Sequence, residues 1–163
     1  MLHLAIDVGE ITGWCYAYLL IAPDGTCLTQ GSFRLEISYA PWEIAWAKFH
    51  KFLSLPTLKL RIILERSPQT ALDYYDNCNK IIQIAKYCNE MKAAGRTIQV
   101  AVISPNEWKP VAKARGWKEE TSLVSHEQDA INQLRYWAWK QYKTELVPLS
   151  PCSNLVAIHF PKI

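Results

Sequence analysis

The sequence predicts an α/β protein built on a mixed five-stranded sheet, three antiparallel strands followed by parallel strands, with helices on its faces. Two observations lead to this prediction. A short apolar run at residues 2–7 precedes two β-favouring stretches that flank a strong turn signal, which is typical of antiparallel hairpins. Two later apolar runs, at residues 58–65 and 97–103, are separated by a long amphipathic segment, and strands joined through a helix lie parallel.

Length and composition indicate one globular domain with a sizeable core. The chain has 163 residues, of which 50% are hydrophobic and 20% are charged, as is usual for a folded domain. We assign residues 1–145 to this domain. Residues 146–163 carry Pro148, Pro151 and Pro161 around a short apolar run, and we treat them as a C-terminal extension that could add an edge strand.

The cysteine and charge content indicate the cellular compartment and the kinds of partner to expect. Five scattered cysteines without a CxxC pair favour reduced thiols in a cytoplasm-like compartment over a zinc knuckle or a disulfide framework. No basic segment precedes the first apolar run, and the apolar stretch at residues 14–22 is too short to cross a bilayer, so we expect neither a secretory signal nor a membrane partner. Residues 81–163 hold 11 basic against 7 acidic side chains, a balance that permits a polyanionic partner.

The first predicted strand ends on a carboxylate. Residues 2–7 form a short apolar run typical of a strand buried on both faces, and Asp7 closes it. A carboxylate in this place is desolvated on one side and needs a cation or a set of hydrogen bonds. Gly9 and Gly13 mark points where the backbone turns tightly or approaches another group closely. This stretch alone supports a turn-bonding aspartate and a functional one equally.

Two further strands and a helix complete the first part of the chain. Residues 14–20 and 26–35 flank the turn signal of residues 22–25. They predict a three-stranded antiparallel unit with Asp7 on its central strand. Pro41 and Pro56 bracket a segment whose apolar residues recur at helical spacing, so we expect a helix between them.

A second strand also ends on an acid. Residues 58–65 finish at Glu65, and Ser67-Pro68 ends the element. A pairing with Arg61 or Arg66 would explain Glu65 by itself, but its position matches that of Asp7 at the end of another strand, which favours a functional role.

A helix and a third buried strand follow. Residues 78–94 form a long amphipathic pattern with Gly95 as the natural C′ residue, and residues 97–103 are then apolar again. This strand–helix–strand run is what predicts the parallel half of the sheet.

The last two predicted helices carry basic and acidic groups. Residues 106–118 form a short helix that ends near Gly116, and basic side chains are concentrated along it. Such clustering suits phosphate contacts, although a solvated helix face explains most runs of this kind. A final helix from Ser125 to about residue 143 places His126 and Asp129 three residues apart, on one face of its first turn. A neutral histidine acting as a metal ligand or proton acceptor suits a helix start better than a charged one.

These patterns together indicate a metal-dependent site. The candidate catalytic and metal-binding residues are Asp7, Glu65, His126 and Asp129. Carboxylates suit Mg²⁺ or Mn²⁺. Two such ions, roughly 3.5–4 Å apart, can hold the attacking and leaving oxygens of a phosphodiester in line.

At this point the chain resembles the RuvC-type branch of the ribonuclease H-like nucleases, the Holliday junction resolvases. The resemblance depends on three motifs in order: IDVGEITGW at residues 6–14, IILER at 62–66 and SHEQDAI at 125–131. It covers residues 1–143 and also agrees with the predicted order of elements. An Asp-x-Gly strand alone also opens sugar kinases, so the specificity comes from the three motifs together.

The resemblance implies a ribonuclease H-like fold and a function. That function is a structure-selective endodeoxyribonuclease that resolves four-way DNA junctions by paired symmetric nicks, with two Mg²⁺ ions per site and Mn²⁺ as a substitute. It implies a homodimer, a cytoplasmic protein of prokaryotic, phage or plasmid context, and the four residues above as the catalytic set. By position it also implies DNA contacts from Arg66, Lys109, Lys113, Arg115 and Lys118. Relatives place a junction-opening aromatic after the strand-end Glu; Ser67-Pro68 stands there in this chain, which leaves Tyr74 or Tyr75 for that role.

Other interpretations remain open at this stage. A YqgF-like nuclease acting on RNA shares the fold and the opening strand, although SHEQDAI fits the RuvC branch better. A non-catalytic nucleic-acid-binding module of the same fold is the second alternative, because a full ligand set can still be misplaced. A sugar-kinase-type phosphotransferase needs a second domain that 163 residues do not accommodate.

Overall fold

The computed structural model describes residues 1–29, 32–33, 36–54, 59–117 and 125–148. Its strands are β1 (Leu2–Asp7), β2 (Ile11–Tyr18), β3 (Ser32–Phe33), β4 (Glu36–Pro41), β5 (Leu60–Glu65), β6 (Ile98–Ile103) and β7 (Val147–Pro148). Its helices are α1 (Trp42–Leu53), α2 (Tyr74–Ala93), α3 (Pro105–Ala114) and α4 (Ser125–Tyr142). No helix within these ranges is both long and apolar enough to span a membrane.

The five-stranded mixed sheet predicted from the sequence is confirmed. Its strand order is β4-β2-β1-β5-β6. The first three strands in this order pair antiparallel, and β1, β5 and β6 pair parallel. Three antiparallel strands followed by parallel ones, with helices packed on the sheet, is the arrangement of the ribonuclease H-like fold that the resemblance implied.

The pairing of the antiparallel half differs from the prediction. β2 pairs with β4, Glu36–Pro41, and not with the expected strand at residues 26–35. The described part of that segment contributes a bridge from Ile21 to Cys27 and the short β3, which pairs with β7 in a separate two-stranded sheet. β1 is therefore central in the whole sheet, whereas β2 is central in its antiparallel half. Local composition marks a stretch as a strand but does not choose between two consecutive candidates for the same partner.

The helices cover the two faces of the sheet because β1 alternates its side chains between them. Leu4 and Ile6 belong to the apolar cluster that includes residues of α1 and α2. Ala5 belongs to the opposite cluster, with residues of α3 and α4. Successive side chains of a strand point to opposite faces, and the small residues Ala5 and Cys15 on the second face let α4 lie close to the strands.

Helix ends follow the predicted signals. Gly95 has φ +90° just after α2, and Gly116 has φ +65° just after α3, a conformation that glycine adopts without strain. α3 begins with a capping box in which the Ser104 side chain accepts from the backbone and Glu107 reaches back to Ser104. Residues 118–124, which include Lys118, and residues 149–163 of the extension lie outside the described residues.

Candidate active site

Two of the predicted site residues come from adjacent parallel strands. Asp7 is the last residue of β1 and Glu65 is the last residue of β5, and Ile6 is paired with Leu64 in the residue row just before them. Because parallel strands end at the same edge of a sheet, both carboxylates emerge side by side. Both residues are half-buried.

The start of α4 reaches this edge across Gly13. Gly13 pairs with Asp7 between β1 and β2, and a Cβ atom built there would lie 2.2 Å from the His126 carbonyl oxygen. Only a residue without a side chain permits this approach, as the sequence predicted for Gly13. The contact brings His126 Nδ1 to 2.9 Å from Asp7 Oδ2.

All four predicted site residues line one open cavity, which we call the acidic cavity. Its volume is about 430 Å³. The segment leading into α2 forms the opposite wall. The cavity is lined by Asp7, Val8, Gly9, Glu10, Ile11, Glu65, Ser67, Pro68, Ala71, Asp73, Asn77, Ser125, His126 and Asp129. The structure therefore brings together groups that are more than 100 residues apart in the chain.

The ionisable groups of the acidic cavity perturb one another. Burial, together with the negative charges of Asp7 and Asp129, raises the pKa of Glu65 to about 7, although the indole N–H of Trp108 acts to lower it. The hydrogen bond to Asp7 raises the pKa of His126 above its ordinary value, against desolvation. A carboxyl group that is destabilised by neighbouring carboxylates favours a bound cation.

The donors fit a divalent metal ion in type. Five carboxylates, among them the three predicted ones of Asp7, Glu65 and Asp129, and one imidazole line the cavity, and Mg²⁺ prefers oxygen ligands. As placed, however, the described side chains contain no group of three or more His, Cys, Asp or Glu residues that could hold an ion together. One oxygen of Asp7 is bonded to His126. The acidic cavity thus has the chemistry of a metal site, but not a preformed coordination shell.

Two of the predicted DNA-binding residues, Arg66 and Lys109, lie near the cavity, and Lys118 lies outside the described residues. Arg66 directly follows Glu65 and is exposed, as are Lys109, Lys113 and Arg115 on and after α3. The positive charge of Lys109 lowers the pKa of Glu65, which places this lysine near the site. The Arg115 guanidinium stacks 4.5 Å from the Trp139 ring centroid.

Two residues that bind Glu65 were not identified from the sequence. Trp108 Nε1 donates to Glu65 Oε2 at 2.5 Å, and Gln133 Nε2 donates to the same oxygen at 3.5 Å. A signal existed for Gln133, which follows Asp129 by four residues and therefore shares its helix face. No sequence signal distinguishes Trp108 from the other tryptophans.

Comparisons with known proteins give only a distant likeness. No family model and no curated protein matches the chain. Among solved structures, the chain is similar to the fowlpox virus Holliday junction resolvase, with 15% identity and a TM-score of 0.43 over 82% of this chain and 86% of that one. It is also similar to fowlpox virus resolvase in complex with its substrate Holliday junction DNA, with 12% identity and a TM-score of 0.40 over 88% and 95% of the two chains.

Proposed function

We propose that this protein is a metal-dependent, structure-selective endodeoxyribonuclease that resolves four-way DNA junctions by paired symmetric nicks. The observation that carries the proposal is the convergence of Asp7, Glu65, His126 and Asp129 around one open cavity beside exposed basic side chains. The choice of a branched DNA substrate comes from the motif resemblance described above.

The acidic residues would hold the ions in this mechanism. Asp7, Glu65 and Asp129 supply carboxylate oxygens, and their mutual repulsion would be relieved by bound cations. When bound, two Mg²⁺ or Mn²⁺ ions lower the pKa of the attacking water and neutralise charge on the leaving 3′ oxygen.

The contact of His126 with Asp7 orients the imidazole ring in a way that suits two roles. Nδ1 donates to Asp7, an arrangement that orients the ring and leaves Nε2 as the nitrogen that can accept a proton from the attacking water. Alternatively, Nε2 is itself a ligand. Both roles require the neutral imidazole, so cleavage is expected to fall as the pH drops through the pKa of His126.

DNA binding is assigned to basic side chains that follow β5 or belong to α3 and the residues after it. Arg66, Lys109, Lys113, Arg115 and Lys118 are the proposed phosphate contacts. Tyr75, whose exposed fraction is 82%, lies at the start of α2 and is the better candidate of the two tyrosines for opening the junction, because Tyr74 is half-buried. Paired nicks need two sites, so we also propose a homodimer, which the stoichiometry of the protein on a junction would test.

A cleavage panel tests the proposal. The substrates are a synthetic four-way junction, a linear duplex and an RNA/DNA hybrid, each with Mg²⁺ or EDTA. We expect metal-dependent, paired nicks in the junction only. Preferential cutting of the hybrid would instead support the YqgF-like alternative.

Asp7→Asn is the matched variant for this panel. It keeps the shape of the side chain and one acceptor oxygen but removes the charge and the second acceptor oxygen, so cleavage should be abolished while junction binding in EDTA is retained. Wild-type activity in this variant would exclude Asp7 from the mechanism.

A non-catalytic nucleic-acid-binding module is the second candidate. The observation in its favour is that the described His, Cys, Asp and Glu side chains are not grouped to hold an ion. Junction binding without cleavage under any divalent cation would establish it and reject the nuclease proposal.

A further inference from the structure

We infer that Trp108 and Gln133 are positioning residues that orient Glu65 toward a bound ion. The inference rests on the proposed function and adds to it: it says how the carboxylate at the end of β5 is aimed into the acidic cavity. Neither residue is itself a ligand in this account.

Both contacts end on one oxygen. The Trp108 indole N–H donates to Glu65 Oε2 at 2.5 Å, and the Gln133 amide donates to Oε2 at 3.5 Å, of which the first is the stronger by distance. Within the described part of the chain, Oε1 has no hydrogen-bond donor. Holding Oε2 therefore leaves Oε1 as the oxygen presented to the cavity.

The donors are rigid because they come from packed elements. Trp108 is 2% exposed and Gln133 is fully buried. The capping box of Ser104 and Glu107 sets the start of α3, and the Trp108 ring packs in the cluster between the sheet and α4. Fixed donors on two helices thus define the orientation of a side chain that belongs to a third element.

The orientation of Gln133 is explained by Glu65. A carboxylate only accepts hydrogen bonds, so the Gln133 amide must turn its NH₂ group toward it. Its Oε1 atom is then buried without a partner among the described residues. A buried carbonyl oxygen without a partner lowers the stability of the fold. Packing alone would therefore favour an apolar residue at position 133, and the hydrogen bond to Glu65 explains why a glutamine stands there.

The affinity for the ion would then depend on Trp108 and Gln133, although neither residue contacts the ion. Partners that orient a metal ligand typically change affinity or activity by about 10–100-fold when they are removed. Without the indole donor, the Glu65 carboxylate can rotate. Part of the free energy of ion binding would then be needed to order this side chain.

Trp108→Phe tests this inference. It keeps an aromatic ring but removes the N–H group. We expect the Mn²⁺ dissociation constant, measured by calorimetry or electron paramagnetic resonance without DNA, to rise by about 10-fold. The Mg²⁺ concentration for half-maximal cleavage should rise in parallel, while junction affinity in EDTA stays the same.

Trp137→Phe is the matched control. Trp137 is also a buried indole of the same cluster, but its Nε1 has no partner in the described structure. The same change of ring size should therefore leave Mn²⁺ affinity unchanged. An equal loss of Mn²⁺ affinity in both variants would overturn the inference, because it would show an effect of packing.

Gln133→Met gives a second readout that a purely structural role would not produce. The variant removes the buried carbonyl without a partner, so its melting temperature should equal or exceed that of the wild type, while its Mn²⁺ affinity falls. Reduced stability with unchanged Mn²⁺ affinity would reject the role of Gln133.

The outcomes separate this inference from the proposed function. A wild-type protein that binds Mn²⁺ but does not cut junctions rejects the nuclease and leaves the positioning role in place, provided that Trp108→Phe weakens Mn²⁺ binding. A wild-type protein that cuts junctions with the same Mg²⁺ dependence as Trp108→Phe rejects the positioning role alone. A wild-type protein that binds no Mn²⁺ rejects both.

Discussion

At the residue scale, the site depends on the absence of a side chain at position 13. The His126 carbonyl lies where the Cβ of any other residue would be. This close approach puts the first turn of α4 directly on β2 and brings His126 within hydrogen-bonding distance of Asp7. A residue with no functional group of its own thus controls the distance between two candidate catalytic groups.

Gly13→Ala should therefore impair both stability and cleavage. The new methyl group would lie 2.2 Å from the His126 oxygen, so the start of α4 must move. Overpacking of this kind costs about 1–3 kcal/mol or more. We expect the free energy of unfolding to fall by at least this amount and cleavage at saturating Mg²⁺ to fall strongly, because His126 moves away from Asp7.

Gly25→Ala is the control for this prediction. Gly25 has φ +88° and no atom near its added Cβ, so the variant loses roughly 1 kcal/mol through backbone strain alone. Its cleavage should be retained. If Gly13→Ala also retains cleavage while losing stability, the placement of His126 does not matter to the reaction.

At the scale of the element, α3 contributes both to the acidic cavity and to a group of exposed basic side chains. Its buried side carries Trp108, which bonds Glu65. Its solvent side carries Lys113, and Arg115 follows at its end, where it pairs with Glu145 at 3.6 Å. One short helix therefore both bonds Glu65 and carries exposed cationic side chains.

Lys113→Ala combined with Arg115→Ala should weaken junction binding and reduce its salt dependence. Each phosphate contact releases condensed counterions, so the slope of log affinity against log salt should fall by about 1 for each lost contact. The measurement is junction affinity in EDTA over a range of salt concentrations. Cleavage at saturating DNA should change little.

Lys51→Ala combined with Lys86→Ala makes the same change of charge on α1 and α2. These helices pack on the opposite face of the sheet, and both lysines are exposed. The salt slope of this variant should equal that of the wild type. Equal slopes for the wild type and both double variants would show that the basic side chains of α3 do not contact DNA phosphates.

At the scale of the whole molecule, the two ends of the domain are held together by a buried histidine. His3 on β1 is fully buried. Its Nε2 lies 3.0 Å from the Tyr142 hydroxyl at the end of α4, and its Nδ1 lies 3.2 Å from the Met1 carbonyl. Desolvation, with Arg61 and the amino terminus nearby, lowers the pKa of His3 from 6.5 to about 4, so the folded state keeps it neutral.

This histidine should contribute to loss of stability in acid. Between pH 6.5 and about 4 the unfolded chain binds a proton at His3 that the folded chain does not, so the free energy of unfolding falls as the pH falls. The full effect is on the order of 3 kcal/mol. His3→Gln should flatten this part of the pH profile, measured by denaturant unfolding.

The effect of His3 must be measured as a difference between the wild type and the variant. The reason is that the titration of Glu65 changes the free energy of unfolding with pH in the opposite direction. Its pKa is raised to about 7, so its protonated form favours the folded state below that pH, and this contribution is lost as the pH rises. A His3→Gln profile that is parallel to the wild-type profile from pH 4 to 6.5 would contradict the assigned role of His3.

The fold was predictable to a large extent because its signals are local. The carboxylates that close residues 2–7 and 58–65, and the glycines that end α2 and α3, are visible as changes of pattern along the chain. The partner of β2 was not predictable in this way, since two consecutive stretches had similar β-favouring character and only the packing of the sheet selected residues 36–41.

The sequence by itself determined which residues are available for chemistry: Asp7 and Glu65 at strand ends, and His126 with Asp129 on one helical turn. It also marked Gly13 as a point of either a tight turn or a close approach. The tertiary structure alone decided that Asp7 bonds His126 and that Trp108 and Gln133 both donate to one oxygen of Glu65. The reason is physical: periodicity reports which face of an element is buried, but hydrogen bonds between elements depend on distances that only the packed sheet and helices set.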